Sequence, residues 1–380
     1  MRHALLNARV LLDDGFADDR AVLIEGDRIA AVVAADDPAV RDAASRHDLS
    51  GLTLLPGFLD TQVNGGGGVL FNDAPSVESI RRIGEAHRGF GTTGFLPTLI
   101  SDDLEVVARA IAATDAAIAS GVPGVVGIHI EGPYLNSARR GTHDPTKLRS
   151  LDAGALQLLT SLRRGRTLVT LAPEVASPGM IRRLVEAGVI VAAGHTNATY
   201  REITAALAEG LRGFTHLFNA MSQLTVREPG AVGAALEDRA SWCGIIVDGR
   251  HVDSVALRLA LRCKPVDRFM LVTDAMPTVG ADAKSFNLQG KSISVEGGVC
   301  VDEMGVLSGS DLDMSAAVRN ATAQLGVDLA TAARMASLYP ASFLGLEHEL
   351  GRIAPGYRAN LVAVDAGVHV AHTWIDGARL

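Results

Sequence analysis

Aromatic residues are scarce. Phe, Trp and Tyr make up 4% of the 380 residues, although 48% of the chain is apolar. The core must therefore be mainly aliphatic, and the apolar content is too high for a disordered chain. Cysteine is nearly absent: Cys243, Cys263 and Cys300 are odd in number, far apart and form no Cys-x-x-Cys pair. That excludes a disulfide framework and makes a reducing cytoplasm the expected compartment. Positive charge is also short, with 35 Lys and Arg against 43 Asp and Glu and a net charge of −8. A nucleic-acid partner, which requires a basic surface, is not expected. No uncharged apolar run approaches the roughly 18 residues of a membrane span. The opening MRHALLNARVLLDDG brings acidic groups too early for a signal-peptide core.

What remains is a regular alternation. Short apolar runs at 52–63, 92–99, 125–131, 167–174, 189–195, 213–219, 242–248 and 268–274 are separated mostly by segments of helical period, such as SVESIRRIGEAHRGF and SVALRLALRCK. Apolar strands alternating with amphipathic helices indicate a parallel sheet, and eight of them are the number that closes a (β/α)8 barrel. A doubly wound open sheet is the competing architecture. It calls for a glycine-rich dinucleotide turn, and the GGGG at 65–68 lacks the GxGxxG spacing. Both ends of the chain read differently: 1–55 and 346–380 are rich in short strands and turns and predict one small β-sandwich domain built from both termini, leaving 56–345 for the barrel. Residues 280–310 carry no helical period and predict a β excursion, either a lid or a structural hairpin.

Polar residues break the apolar runs at their C-terminal ends. They are Gln62 and Asn64, then Glu131, Glu174, His195, His216, Asp248 and Asp274. In a barrel these ends share the face on which active sites are built. One carboxylate and two imidazoles, Glu131, His195 and His216, form the ligand set of a catalytic metal site with an open position for water. Asp274 is then the candidate general base and acid, with a hydrogen-bonding or helix-capping role as its plain alternative. Glu174 has no assigned part.

The stretches HIEGPYLN (129–136), GHTNATY (194–200), THLFNAM (215–221) and LVTDAMPTVG (271–280) resemble the amidohydrolase superfamily, and within it the branch of amino-sugar-phosphate deacetylases. PGFLDTQVNGGGG (56–68), GTHDP (141–145), REPGAVG (227–233), GIIVDGRHV (244–252) and SGSDLDMSAAVRN (308–320) extend the resemblance nearly end to end. It implies hydrolytic deacetylation of N-acetyl-D-glucosamine 6-phosphate, with the galactosamine epimer as the alternative. It also implies one divalent ion per subunit, Zn2+ above all, with Fe2+, Mn2+ or Co2+ equally suited to the ligands. Many superfamily members carry a His-x-His pair after the first strand for a second metal. Here Gln62-Val63-Asn64 stands in that place, and neutral amides are poorer ligands, so one metal is expected.

The same resemblance gives His143 a place beside the substrate carbonyl, although GTHDP by itself reads equally as a turn. It assigns substrate contacts to Thr142, Asn219, Ala220, Asp248, His251, Leu307, Ser308 and Gly309. Arg227 becomes the phosphate ligand, where sequence alone suggests an ion pair with Glu228; Arg139 and Arg140 are further cations near the mouth. Phosphate contacts from a neighbouring subunit imply a homodimer. Two other readings stay in view. Cyclic-amide hydrolysis needs two metals and often a lysine at a strand end, but Lys147, Lys264, Lys284 and Lys291 all lie elsewhere. A non-catalytic scaffold would have lost the ligand residues.

Overall fold

The structure is a computed structural model, and it describes residues 2–380. Eight strands form one all-parallel sheet: β1 Phe58–Val63, β2 Thr92–Ile100, β3 Gly127–Glu131, β4 Arg166–Leu171, β5 Ile190–Ala193, β6 Gly213–Phe214, β7 Trp242–Ile245 and β8 Phe269–Leu271. Each pairs with its neighbour in sequence, and helices such as Val77–Arg88, Leu104–Ala119 and Ser254–Cys263 lie between them. Closure falls just beyond β8, where Asp274 N–H donates to Gln62 O (3.1 Å) and Asn64 N–H to Ala275 O (2.9 Å). The fold is a TIM-type barrel.

The strands alternate as a closed barrel requires. In β3, Ile128 and Ile130 pack outward in the same cluster as Val107, Ala110 and Ile111 of the Leu104–Ala119 helix. His129 turns inward to line an interior cavity with Thr61 and His216. Leu59, Leu96, Leu168, Ile190 and Met270 fill the lower interior, closed from below by Phe343 on the helix Leu338–Leu344. Pro97 interrupts β2, and since it has no N–H to give the ladder, the register shifts there. The hydroxyl of Thr98 takes up the N–H of Val63 at that break (2.9 Å).

The termini form two further sheets. One runs, in spatial order, through 28–34, 20–25, 2–6 and 45–48; the other through 378–379, 370–375, 361–364, 53–56, 9–12 and 15–17. Val22, Ile24, Leu54, Leu361 and Trp374 meet between them, while Ala21 and Leu23, on the opposite pleat, pack with Val40. The run 52–63 is therefore two strands rather than one: Thr53–Pro56 belongs to the terminal sheet and Phe58–Val63 to the barrel. Residues 285–310 form an antiparallel meander, β9 Ser285–Leu288, β10 Lys291–Glu296, β11 Val299–Asp302 and β12 Leu307–Ser310. No helix among the described residues is long and apolar enough to cross a membrane.

His87, on the Val77–Arg88 helix, is fully buried and its Nε2 donates to Gly65 O at 2.8 Å. Burial pushes its pKa down to about 4, so it is neutral when folded. The unfolded chain takes up a proton here below about pH 6.5, so this contribution to stability is present above 6.5 and lost as pH falls towards 4. Between pH 7 and pH 5 the wild type should lose about 2 kcal/mol more than His87→Gln. Urea unfolding at the two pH values measures this, and parallel losses would contradict it.

Candidate active site

Glu131 ends β3, His195 follows β5 by two residues and His216 follows β6 by two. Both histidines have left-handed backbones (φ 48° and 32°), as does Asp274 after β8 (φ 53°). Such conformations are strained for non-glycine residues and concentrate at functional sites. Here they mark the points where the strands give way to the loops of the catalytic face.

The side chains meet at one buried point. Nε2 of His195 lies 3.2 Å and Nε2 of His216 3.0 Å from Glu131 Oε1, and the two nitrogens are 3.0 Å apart. His195 Nδ1 faces the carbonyl of Arg139 at 2.9 Å, and a carbonyl only accepts, so Nδ1 carries a proton. In the neutral ring Nε2 is then a lone pair aimed at a carboxylate. Acceptors converging in a buried space repel unless a cation sits among them. Bonds of about 2.1 Å at 90–109° would separate ligand atoms by roughly 3.0–3.4 Å, so this donor set fits a divalent ion. The shifts agree. Burial opposes the charge on Glu131, yet His195 and His216 hold its carboxyl well below the usual range. Against burial, Glu131 raises the pKa of His216.

Gln62 and Asn64 connect this point to Asp274. Gln62 Nε2 donates to both oxygens of Glu131 (3.2 Å each) and to Asp274 Oδ1 (3.0 Å); Asn64 Nδ2 donates to the same oxygen at 2.7 Å. Burial, and then the charge of Glu131, raise the pKa of Asp274 above the usual carboxylate range. Asn64 Oδ1 is buried without a protein partner. Gly309, in β12, has φ 78°, and a Cβ there would lie 2.5 Å from Met276 Cγ and 3.0 Å from Asp274 O. Only glycine allows this close approach without displacement.

His143 stacks edge-on against His195, with centroids 4.4 Å apart. Its Nδ1 receives the backbone N–H of Ser101 (3.2 Å) and lies 2.8 Å from the Ser101 hydroxyl. Nδ1 is thus the acceptor and Nε2 carries the proton. Burial and the neighbouring His195 push its pKa down to about 3, keeping the ring neutral. Asp248 Oδ2 and His251 Nδ1 are 2.6 Å apart, and Thr142 and Ser308 meet through their hydroxyls at 3.2 Å. Asn219 turns its amide back to the His216 carbonyl (3.1 Å), and the Ala220 carbonyl accepts from Thr196 N–H. Leu307 is half exposed at 37%. Arg227 is not drawn in: it is exposed and makes no ion pair among the described residues. Glu228, its expected partner, instead accepts from the N–H groups of Tyr200 and Gly230.

Glu174, which the sequence places at a strand end without a part, and residues that it does not single out complete the arrangement. Glu174 gathers three loops, accepting from Asn136 Nδ2, Thr196 Oγ1 and Asn197 N–H. Below the ligands, His129 bridges Thr98 and Thr170, and Thr170 meets Thr215. Ser101 carried a usable signal as the polar residue immediately after β2.

Residues 53–380 match the Amidohydrolase family. The chain belongs to that family. It is 45% identical over 334 residues to the N-acetylgalactosamine-6-phosphate deacetylase of Shewanella sp. (strain ANA-3), covering 88% of this chain and 84% of the relative. The crystal structure of N-acetylglucosamine-6-phosphate deacetylase from Pasteurella multocida superposes with a TM-score of 0.96 at 35% identity, covering all of both chains. A mutant of the Mycobacterium smegmatis N-acetyl-D-glucosamine-6-phosphate deacetylase, in complex with N-acetyl-D-glucosamine-6-phosphate, superposes with a TM-score of 0.88 at 32% identity, covering 100% of this chain and 98% of that one.

For this amidohydrolase, elemental analysis of the purified chain should find a single divalent ion. Glu131→Gln, His195→Ala and His216→Ala should each lose it, while Gln62→Ala retains it. Full metal content in the three ligand variants would show that the ion binds elsewhere.

Proposed function

We propose that the protein hydrolyses the acetamide of an N-acetylated hexosamine 6-phosphate, N-acetyl-D-glucosamine 6-phosphate in the first instance, to the free amine and acetate. The observation that carries this reading is Asp274, tethered by Gln62 and Asn64 beside the Glu131, His195 and His216 cluster. The deacetylases it resembles over 88% of its length or more support the substrate class.

A divalent ion held by Glu131, His195 and His216, with Zn2+ the expected one, supplies Lewis acidity, lowering the pKa of a water and polarising the acetamide carbonyl. Asp274 takes the proton of the attacking water. Gln62 and Asn64 hold the carboxylate oxygen in place while it does so. His143, with Nε2–H fixed outward by Ser101, donates to the carbonyl oxygen as it gains charge. Asp274 then returns the proton to the departing amine nitrogen, which leaves as the C–N bond breaks. Thr142, Ser308, Gly309 and Leu307 form one wall of the sugar pocket, Asn219 and Ala220 another, and Asp248 orients His251 towards the phosphate side.

Arg227 supplies the phosphate contact across a homodimer. Leu224 and Val226, exposed at 56% and 99% beside it, suit a loop that packs on a second copy. The protein acts in the cytoplasm. The galactosamine epimer is the second reading, favoured by the 45% identity to an enzyme of that name.

Acetate release from the two epimeric 6-phosphates and from the unphosphorylated sugar, with and without chelator, tests the proposal. Chelator-sensitive turnover confined to the phosphorylated sugars is expected, and the faster epimer identifies the substrate. Turnover of none of them by metal-loaded protein would refute it. Asp274→Asn should retain metal while kcat falls roughly 10²–10⁴-fold; near-normal kcat would remove Asp274 from its role.

A further inference from the structure

Beyond the Leu307, Ser308 and Gly309 wall, the β9–β12 meander supplies none of the reacting groups above, but it is bonded to both sides of them. At one edge, β12 joins the segment carrying Asp274: Ser310 N–H donates to Asp274 O (3.0 Å) and Met276 N–H to Ser310 O (3.0 Å). At the other, the turn between β9 and β10 reaches the segment carrying His143. That turn is a two-residue loop, Gln289-Gly290, with both residues at positive φ (50° and 85°) and Leu288 paired with Lys291. Tight hairpin turns of this kind favour Asn, Asp or Gly at the first position, since these tolerate the left-handed backbone best. Gln289 is a poor local choice there, and a residue that breaks a local rule points to another requirement.

Its side chain supplies the reason. Gln289 Nε2 donates to the carbonyl of Ser101 (3.0 Å), and its Oε1 accepts the N–H of Asp144 (3.0 Å). Ser101 is the residue whose own N–H fixes Nδ1 of His143, and Asp144 follows His143 in the chain. The amide thus closes a ring of hydrogen bonds through Ser101, His143 and Asp144. Asparagine, one methylene shorter, would suit the turn better and fail to span both partners.

Resting on the proposed reaction, we infer that Gln289 is a positioning residue for His143: it locks the two loops that hold the imidazole with Nε2–H facing the substrate carbonyl. The meander is then a brace between the segments that carry Asp274 and His143 rather than a passive hairpin. An amide both donates and accepts, so neither Glu nor Met at this position can replace it.

The test uses the metal-loaded full chain with Gln289→Asn and Gln289→Ala. Deuterium exchange should quicken at the backbone of 140–147 and leave the barrel strands unchanged, with metal content intact. In turnover, kcat should fall roughly 10- to 100-fold, as for a misplaced catalytic group, with KM within about twofold. In a His143→Asn background the same substitutions should add no further loss. Because Gln289→Asn improves the turn, its loss of kcat with an unchanged unfolding midpoint separates positioning from folding. Unchanged exchange across 140–147, or losses that add to that of His143→Asn, would overturn the inference. If the unsubstituted chain deacetylates no sugar phosphate, the proposed reaction fails, and the exchange result still decides whether Gln289 holds the loop.

Discussion

The structure turns on a convergence of electron-rich atoms: a carboxylate and two imidazole nitrogens meet within 3.2 Å in the buried mouth of a barrel. A lone pair on His195 Nε2 follows from the Arg139 carbonyl, which obliges Nδ1 to carry the proton. That one contact turns a lone pair towards Glu131, which is what a metal ligand requires. The opposed shifts of Glu131 and His216 express the same demand for positive charge at this point. A cation answers it, and the surrounding residues are arranged for one.

The supports form a continuous polar system. Gln62 touches Glu131 and Asp274 at once, so the two carboxylates are held in one hydrogen-bonded unit. Glu174 binds the loops after β3 and β5 together, and the His195 backbone carbonyl accepts from Asn136 N–H. Beneath the ligands, Thr98, His129, Thr170 and Thr215 satisfy one another inside the barrel, where an unpartnered polar group would be costly. Their neutral hydrogen bonds add no charge to compete with the site above. His129 is held neutral by its burial, with its pKa near 4.

His143 shows how such a site is tuned by backbone. Its neutral form is secured by burial, but which nitrogen bears the proton is decided by an amide N–H, that of Ser101. A side-chain partner could rotate away; a strand-end N–H cannot. Asp274 is likewise placed by the chain itself, since its N–H and carbonyl stitch β8's extension to β1 and β12. Barrel closure and placement of Asp274 are therefore one event.

Much of this was legible in one dimension because a barrel obeys simple periodicities. Eight apolar runs separated by amphipathic helices gave the strand count, and the polar residues at their ends identified Glu131, His195, His216 and Asp274, since parallel strands deliver all their C-terminal ends to one face. What stayed hidden depended on groups without a type-specific signal. Ser101 acts through a backbone N–H, which every residue but proline possesses. Glu174 stands out only as a strand-end carboxylate without a part, and His129 resembles any buried histidine until its partners are known. Gln289 lies 145 residues from Asp144 and meets it only because a meander folds back over the barrel mouth. An ion pair with Glu228 is the plain alternative to the phosphate contact of Arg227, and only the loop's conformation shows Glu228 engaged elsewhere. Composition and period set the fold and the ligand chemistry, because these follow from side-chain type and spacing. Tautomer, tether and brace were decided by tertiary structure, because hydrogen bonds form between groups according to where they lie in space.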